Sequence, residues 1–256
     1  MGHLTIPGHL KISHVSLLYL CLLFSWCSLQ AQHSISFDLN FNKDAMQLQD
    51  NGGQLRAPLH KNVSFGLSYR YLLKRRIAIS TGIALKGFDQ SVSFKSFPYF
   101  SAGMGTQAIQ VPLLLGYRLA FGPQRRFAVT PLAGFTFNWP LAGSVSNNDG
   151  IFRGGNQSMY FQSSYRLQQT TSFSAGLLLE IRMRRRISLG ITAQYNYGSQ
   201  PLSRENILYG SAYAPGPVYQ AQLTTHGTYW TYLGVKLIYS FGKSGKRQGR
   251  GGGRRR

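Results

Sequence analysis

Few residues in this sequence have the side-chain chemistry of a catalytic or metal site. All seven acids and three of the six histidines, His33, His60 and His226, follow residue 31. Their spacing matches neither a nucleophile with its base and orienting group nor a metal-ligand motif. No glycine-rich segment that could hold a phosphate precedes a helical pattern. The sequence therefore predicts no catalytic residue, no cofactor and no metal, and it places His60 and His226 in solvated loops.

A second set of candidate residues consists of single charges within strand-like segments. They are Asp38, Arg70, Lys86, Arg118, Glu180, Arg182 and Lys236. In a closed barrel these charges would point inward, and all but Lys86 would lie towards one end. Buried charge must be paired, because an unpaired charge is costly in a low dielectric. The expectation is a structural network of ion pairs, and the alternative is a site for an anionic ligand at that mouth.

The elements that must position these charges are β-strands, and the segment from Gln107 to Trp139 shows the pattern best. On both sides of the basic turn Gly122–Arg126, large apolar residues occupy the odd positions and smaller or more polar residues the even ones. Strict alternation predicts strands, because successive side chains point to opposite faces. The small face carries too little charge for a soluble surface. The pattern is typical of a transmembrane β-hairpin whose large residues face lipid.

Counting the two arms of this hairpin, the same alternation occurs in eight segments of the chain. Their connections alternate between long, polar segments and short, basic turns, which is the asymmetry of outer-membrane barrels. The long connections are residues 43–61, 88–106, 140–169 and 199–226. The sequence therefore predicts an all-β fold, an eight-stranded antiparallel transmembrane β-barrel of the outer-membrane type. A soluble lipocalin-like barrel is the alternative, and it would need many more charges on the face that is rich in glycine and serine.

The chain divides into three predicted parts. Residues 1–31 have the form of a cleavable signal peptide, whose apolar core Val15–Phe24 is too short to span a bilayer. Both cysteines, Cys21 and Cys27, lie in this segment, so the mature chain would form no disulfide. Residues 32–242 are the barrel, and residues 243–256 are a disordered basic tail rich in glycine and arginine.

Basic residues outnumber acidic residues by 28 to 7. Such an excess is common in nucleic-acid-binding proteins, but here the charges gather in short turns and in the tail, between strands that suit lipid. No nucleic acid is therefore expected as a partner. The turns instead predict a basic rim on the periplasmic side, which anionic headgroups attract. Its residues are Lys74, Arg75, Arg76, Arg125, Arg126, Arg184, Arg185 and Arg186.

Aromatic residues are predicted to form two girdles at the headgroup level. The first lies beside the short turns and contains Tyr71, Phe121, Phe127, Tyr239 and Phe241. The second lies near the long connections and contains Phe41, Phe137, Trp139, Phe173, Tyr195, Tyr197 and Tyr229.

Three segments carry a resemblance to a known family: SLQAQ at the end of the leader, the strand AIQVPLLLGYRL, and the closing YLGVKLIYSFGK. Over about Gln32 to Lys243 the chain resembles the small outer-membrane β-barrels of the PorT-like family. Some relatives serve protein secretion across the outer membrane. The resemblance implies a bacterial outer-membrane location and a role as a secretion accessory.

The function expected from these patterns is that of a non-enzymatic barrel, monomeric in lipid, that anchors or assists envelope or secretion proteins. An even number of strands places both mature termini in the periplasm. The alternative is a surface receptor or adhesin acting through the long external connections 140–169 and 199–226. An outer-membrane hydrolase is a more distant alternative.

Strand order also predicts specific ion pairs inside the barrel. Asp38 on the first strand would lie between Arg70 on the second and Lys236 on the eighth. Because neighbouring strands are about 4.7–4.9 Å apart, Asp38 is expected to pair with one of them. Glu180 on the sixth strand is expected to pair with Arg118 or with another inward cation across the narrow lumen.

Overall fold

The computed structural model describes residues 32–58, 60–95, 97–141, 145–154, 157–211 and 217–241. The predicted signal peptide and the basic tail lie outside the described residues. Thirteen strands form one antiparallel sheet: β1 (Gln32–Asp50), β2 (Leu55–Arg56), β3 (Lys61–Leu73), β4 (Ile77–Phe94), β5 (Phe97–Tyr117), β6 (Leu119–Phe121), β7 (Phe127–Pro140), β8 (Val145–Gly154), β9 (Gln157–Leu167), β10 (Thr170–Arg182), β11 (Ile187–Gly198), β12 (Ser203–Ser211) and β13 (Tyr219–Phe241). Among these residues no helix is long and apolar enough to cross a membrane.

Eight of the strands wrap into a closed barrel. Their order is β1, β3, β4, β5, β7, β10, β11 and β13, and β1 pairs with β3 on one side and β13 on the other. The short strand β6 continues the edge of β5 along β7. The predicted eight-stranded antiparallel barrel, closed between its first and last strands, is confirmed.

Side chains alternate between the two faces of the barrel wall as the sequence predicts. Leu113 and Leu115 on β5 are 50% and 60% exposed, whereas Leu114 between them is 8% exposed. The same order holds for Phe135 and Phe137 on β7, which point outward on either side of the buried Thr136. The wall therefore presents a continuous apolar surface to its surroundings and a largely polar one to the lumen.

Near the start of the membrane part of β13 the alternation shifts by one residue. Phe41 and Asn42 on β1 pair with Leu233 and Thr231, so Tyr232 is an extra residue in a β-bulge. Because side chains alternate with period two, one extra residue reverses the facing of those that precede it. The prediction that Tyr229 lies in the outer aromatic girdle is therefore wrong. Tyr229 is buried in the lumen, and Trp230 and Tyr232 point outward in its place.

The two ends of the barrel differ in their connections. The turn end carries the tight turn at Lys74–Arg76, the short 3-10 helix Pro123–Arg125 and the turn at Met183–Arg186. Lys74 and Arg75 adopt positive φ angles of 46° and 61°, which closes the first turn. The described chain also starts and stops here, since His33 pairs with Phe241. The opposite end is called the loop end.

Beyond the loop end the chain forms a folded cap, and the prediction of long polar loops there is wrong. Residues 140–169 contain β8 and β9, and residues 199–226 contain β12 and the start of β13. In the first predicted loop, 43–61, β1 runs on to Asp50 and β2 follows it. In the second, 88–106, β4 and β5 extend beyond the barrel as paired strands. The cap comprises β2, β8, β9, β12 and these extensions. Strands replace loops because the extensions pair with one another and enclose apolar residues.

The cap has its own hydrophobic core. It contains the buried residues Leu55, Val92, Phe94, Phe161, Ile207, Tyr209, Ala221 and Leu223. Asp50 fixes the adjacent turn, since its carboxylate accepts hydrogen bonds from the Tyr209 hydroxyl at 2.6 Å and from the Leu55 amide at 2.7 Å. The core joins residues from both ends of the chain. The cap and the barrel form one continuous sheet, because β1, β4, β5 and β13 run from the barrel into the cap.

Glu205 on β12 is a buried acid in this cap, outside the barrel strands. It lies opposite Leu223 and Tyr165 on the neighbouring strands. Burial raises the pKa of the Glu205 carboxyl, and the Ser163 hydroxyl offsets this only in part. A raised pKa in the folded state means that the carboxyl favours folding below its ordinary pKa of 4.5 and that this contribution is lost as the pH rises through the folded pKa.

We therefore expect the cap of the wild-type protein to become more stable as the pH falls from neutral towards 4.5, the ordinary pKa of the carboxyl. Glu205→Gln should make the neutral-pH cap more resistant to opening and should remove the dependence on pH. Amide exchange of β9 and β12, expressed as protection factors, measures this. Equal protection of the two proteins at neutral pH would contradict the expectation.

Leucine-to-arginine substitution on the outer wall tests the facing. Leu113→Arg is expected to lower the stability of the barrel in lipid by about 2–4 kcal/mol, because the guanidinium would lie near the middle of the bilayer. Phe121→Arg, next to a turn, serves as the control with an expected loss of about 0–1 kcal/mol. Urea unfolding of protein refolded into phospholipid vesicles gives both values. A smaller loss of stability in Leu113→Arg than in Phe121→Arg would show that Leu113 does not face the middle of the bilayer.

Candidate functional site: the charged layers of the lumen

One buried carboxylate at the turn end is held by arginines, and this group is called the turn-end cluster (Arg70, Arg118, Glu180 and Arg182). Glu180 accepts hydrogen bonds from both terminal nitrogens of Arg70, with Nη2 at 3.1 Å from Oε2. Arg118 Nε lies 3.6 Å from the same oxygen. Arg182 lines the small pocket of these residues and has no ion pair with a described acid.

A second ion pair lies further into the lumen. The register of β1 and β13 places Asp38 opposite Lys236, and the ammonium group donates a hydrogen bond to Asp38 Oδ2. The Ser68 hydroxyl donates to the same oxygen at 2.7 Å, and the Ser36 hydroxyl donates to Oδ1 at 2.8 Å. Asp38 thus lies with Lys236, whereas Arg70 extends across the lumen to Glu180.

An internal cavity of about 90 Å³ lies between the two ends of the lumen. Asp38, Lys236 and serine and threonine side chains line one wall, and Leu114, Leu132 and Leu178 form an apolar cluster on the other. A cavity of this size is large enough to hold water. Its polar wall offers such waters several hydrogen-bond partners.

A third charged layer closes the lumen below the cap, and it is called the loop-end cluster (Asp44, Asn62, Lys86, Phe88 and Tyr229). Lys86 is 0% exposed, and its Nζ donates to Asp44 Oδ1 at 2.6 Å, Asn62 Oδ1 at 3.0 Å and the Gly87 carbonyl at 3.1 Å. An ammonium group has three protons, so all its donors are satisfied. The rings of Phe88 and Tyr229 lie 3.9 Å and 4.6 Å from the same nitrogen.

The polar network continues from this cluster around the wall. Tyr229 donates to Gln110 Oε1 at 3.3 Å, Gln110 donates to Asn138 Oδ1 at 2.6 Å, and Asn138 donates to the Ser172 hydroxyl at 3.1 Å. These residues come from four different strands. The network therefore ties the circumference together at the loop end.

The sequence pattern alone does not reveal this layer, because Asp44 falls within the first predicted loop, 43–61. β1 in fact continues to Asp50, and the even positions remain inward along its whole length, so Asp44 faces the lumen. The spacing Asp38, Asn40, Asn42, Asp44 was the available signal, since all four residues share one face of a strand. Tyr229 was missed because its facing depends on the bulge at Tyr232.

The remaining candidate residues lie apart from one another. His60 Nε2 lies 2.7 Å from the Ser91 hydroxyl, and His33 packs among the rings of Tyr69, Tyr71 and Phe241 at the turn end. No group of three or more histidine, cysteine or acidic side chains that could hold a metal occurs within the part of the chain that the structure describes.

The eight rim residues named from the sequence are all exposed at the turn end. Arg76 and Arg186 donate hydrogen bonds to the hydroxyls of Tyr117 and Tyr239 at 3.2 Å and 3.3 Å, so they lie against aromatic residues of the outer wall near the turn end. The described acids nearest to this end, Asp38 and Glu180, point into the lumen and are already paired. The rim is therefore a strongly cationic ring.

Comparisons with known proteins agree with this architecture. The family model described as "Outer membrane protein beta-barrel domain" matches residues 30–203. No curated protein matches the chain. Among solved structures, the outer membrane protein OprG from Pseudomonas aeruginosa aligns with a TM-score of 0.52 at 12% identity, over 82% of this chain and 96% of that chain.

Two further structures are similar at lower scores. The N-terminal β-barrel domain of OprF from Pseudomonas aeruginosa has a TM-score of 0.36 at 12% identity, over 83% of this chain and 100% of that chain. The outer membrane protease OmpT from Escherichia coli has a TM-score of 0.39 at 9% identity, over 82% of this chain and 97% of that chain.

Proposed function

We propose, since this chain belongs to the outer membrane protein β-barrel domain family, that it is a non-conducting, non-enzymatic barrel that anchors or assists other envelope proteins. The barrel sits in the lipid bilayer of the bacterial outer membrane. The observation that carries the proposal is a lumen that side chains close on both sides of its internal cavity. Ion pairs or their hydrogen-bond networks occupy it at three levels, so the interior stabilises the wall and leaves the outer surfaces for function.

The basic rim is the surface that would bind a partner in the periplasm. In this proposal the turn end, with both termini of the barrel, faces the periplasm, where short turns of outer-membrane barrels lie. Residues 1–31 direct export, and the basic segment 243–256 adds further cations on the same side. The resemblance to PorT-like barrels supports an accessory role in secretion, with an acidic surface of an envelope protein as the partner of the ring.

The folded cap favours a second function, that of a surface receptor or adhesin. A cap with a hydrophobic core holds its outward face in one shape, unlike a set of mobile loops. This function uses the loop end and leaves the basic rim without a partner.

Site-specific photo-crosslinking in cells separates the two functions. A crosslinker at Arg75 or Arg185 on the rim is compared with one at Gln49 or Asn206 on the cap, followed by affinity purification and mass spectrometry. A discrete adduct from the rim positions that disappears in a variant with glutamines at four rim positions supports the anchor. Adducts from the cap positions alone would favour the receptor. A conductance in planar bilayers comparable to that of an open pore would refute the closed lumen.

A further inference from the structure

We propose that the outward face of the cap binds the sugar headgroup of an anionic glycolipid in the adjacent membrane leaflet. This face is formed by β9, β12, the start of β13 and the end of β1. The inference rests on the proposed function in one respect, namely that the loop end lies outside the cell, in the leaflet that would hold such a lipid.

Rows of carboxamide side chains cross this face. The register places Ser164, Asn206, Gln222 and Gln49 side by side on four neighbouring strands. The next row towards the tip contains Gln162, Leu208 and Gln220. Gln222 donates to Asn206 at 3.0 Å, and these two amides keep further donors and acceptors that point away from the sheet.

The amides surround a surface concavity of about 460 Å³. Gln49, Asn51, Gln162, Asn206, Gln220 and Gln222 line it, together with Ser163 and Ser164. Each carboxamide offers two donors and one acceptor oxygen, which matches the paired hydroxyl groups of a sugar. The cavity size is in the range of small-ligand sites, but its lining is more polar than such sites usually are. This combination fits a polyhydroxylated ligand.

Two pairs of like charges lie between the amides and the lipid-facing wall, one on β9 and β12 and one on β1 and β3. Arg166 lies directly opposite Arg204, and Lys43 lies directly opposite Lys61. None of the four forms an ion pair with a described acid. Like charges opposite each other destabilise a sheet, so an anionic group bound between them would relieve the repulsion. The phosphates of a glycolipid headgroup supply such anions.

The face is continuous with the lipid-facing wall along β1 and β13. On β1 the outward residues change from Phe37 and Phe41 to Lys43 and then to Gln47 and Gln49. Trp230 on β13 lies beside Lys43 at the point of change. Strands rise about 3.3 Å per residue, so Gln49 lies roughly 25 Å beyond Phe41 along the strand. Acyl chains, phosphates and sugars of one lipid would meet apolar, cationic and amide surfaces in that order.

A protein partner fits this face less well. Protein interfaces are anchored by buried aromatic or large apolar residues at their centre. The centre of this face consists of amides. Two large apolar residues line the concavity, Leu208 and Ile207, and Ile207 is buried in the cap core.

The test uses the full mature protein refolded into nanodiscs that contain either lipopolysaccharide or an equal charge of phosphatidylglycerol. Native mass spectrometry counts the bound lipids. The wild type should retain lipopolysaccharide at least tenfold more strongly than phosphatidylglycerol. Gln49→Ala combined with Asn206→Ala and Gln222→Ala should abolish this preference, while Arg166→Gln with Arg204→Gln should weaken retention of lipopolysaccharide about tenfold.

Arg184→Gln with Arg186→Gln is the matched control, because it removes the same charge from the turn end and should leave the preference for lipopolysaccharide over phosphatidylglycerol unchanged. Heat-shifted gel mobility verifies that each variant is folded. Equal retention of the two lipids by the wild type, or an undiminished preference in the triple amide variant, would overturn the proposal. So would binding of the delipidated oligosaccharide as tight as that of the intact glycolipid.

The result is independent of the anchor function. Nanodiscs present lipopolysaccharide in both leaflets, so retention does not require a particular orientation of the barrel. Absence of rim adducts in the wild-type protein would refute the periplasmic anchor and leave glycolipid retention intact, and the reverse also holds. A single cysteine at Gln220, labelled on whole cells with an impermeant maleimide, separately reports whether the cap lies outside.

Discussion

Asp44→Asn is expected to lower the free energy of unfolding of the barrel by about 3–5 kcal/mol. The substitution leaves the Lys86 ammonium fully buried without its carboxylate, which lies 2.6 Å away in the wild type. The amide and carbonyl oxygens and the two aromatic rings that remain compensate a full charge only in part. Urea unfolding in phospholipid vesicles, followed by tryptophan fluorescence, measures the loss.

Lys86→Met in the Asp44→Asn background is the matched control. It removes the second charge and leaves an apolar chain of similar length between Phe88 and Tyr229. The cost of breaking a buried pair comes mainly from the charge left uncompensated. The double variant buries no such charge, so it should recover most of the stability lost. A loss below about 1 kcal/mol in Asp44→Asn alone would show that water reaches the ammonium group and that the layer does not seal the lumen.

Glu180→Gln is expected to destabilise the turn end by about 3 kcal/mol, the lower end of the range for a broken buried pair. It removes the carboxylate that Arg70 and Arg118 share and leaves three arginines of the cluster without a counter-charge. The loss should be smaller than at Asp44, because the side chains of Arg70 and Arg118 reach some solvent, with 11% and 12% exposed.

Salt dependence separates this effect from a simple loss of packing. Sulfate can replace the missing carboxylate by bidentate contacts with guanidinium groups, so added sulfate should restore more stability to Glu180→Gln than an equal ionic strength of chloride. Arg182→Gln in the same background should also recover part of the loss by reducing the repulsion. If neither sulfate nor Arg182→Gln restores stability, the cluster stabilises the barrel by packing and not by the pairing of charges.

Alternation with period two was enough to predict the barrel from the sequence. It identified the hairpin of β5 and β7, the eight strands of the wall and the outward facing of Leu113 and Leu115. The signal is strong because a lipid-facing wall tolerates hardly any polar side chain. Charges at inward positions are conspicuous against that background, which is why Asp38, Arg70, Glu180 and Lys236 could be named as lumen residues.

The cap could not be predicted in the same way. On β12 the inward residues include Ser203 and Glu205 as well as Ile207 and Tyr209, so the apolar face is interrupted. Its outward face carries the polar side chains Arg204 and Asn206, which are common in loops. The packing that makes these segments strands comes from partners far along the chain, such as Leu55 and Val92. The bulge at Tyr232 likewise depends on the pairing of three strands.

The placement of β1 and β13 has a consequence for the order of assembly. The first and the last strand pair with each other over nearly the whole of β1, from His33 with Phe241 at the turn end to Asp50 with Ala221 in the cap. Contacts between residues so distant in the chain form late, because closing a long loop is entropically costly. Neither the Asp38–Lys236 pair nor the contact of Asp50 with Tyr209 can exist before that seam closes. An assembly intermediate in which β1 and β13 are not yet paired would therefore expose both the polar lumen and the core of the cap to solvent. The pairing of these two strands would bury both in one step.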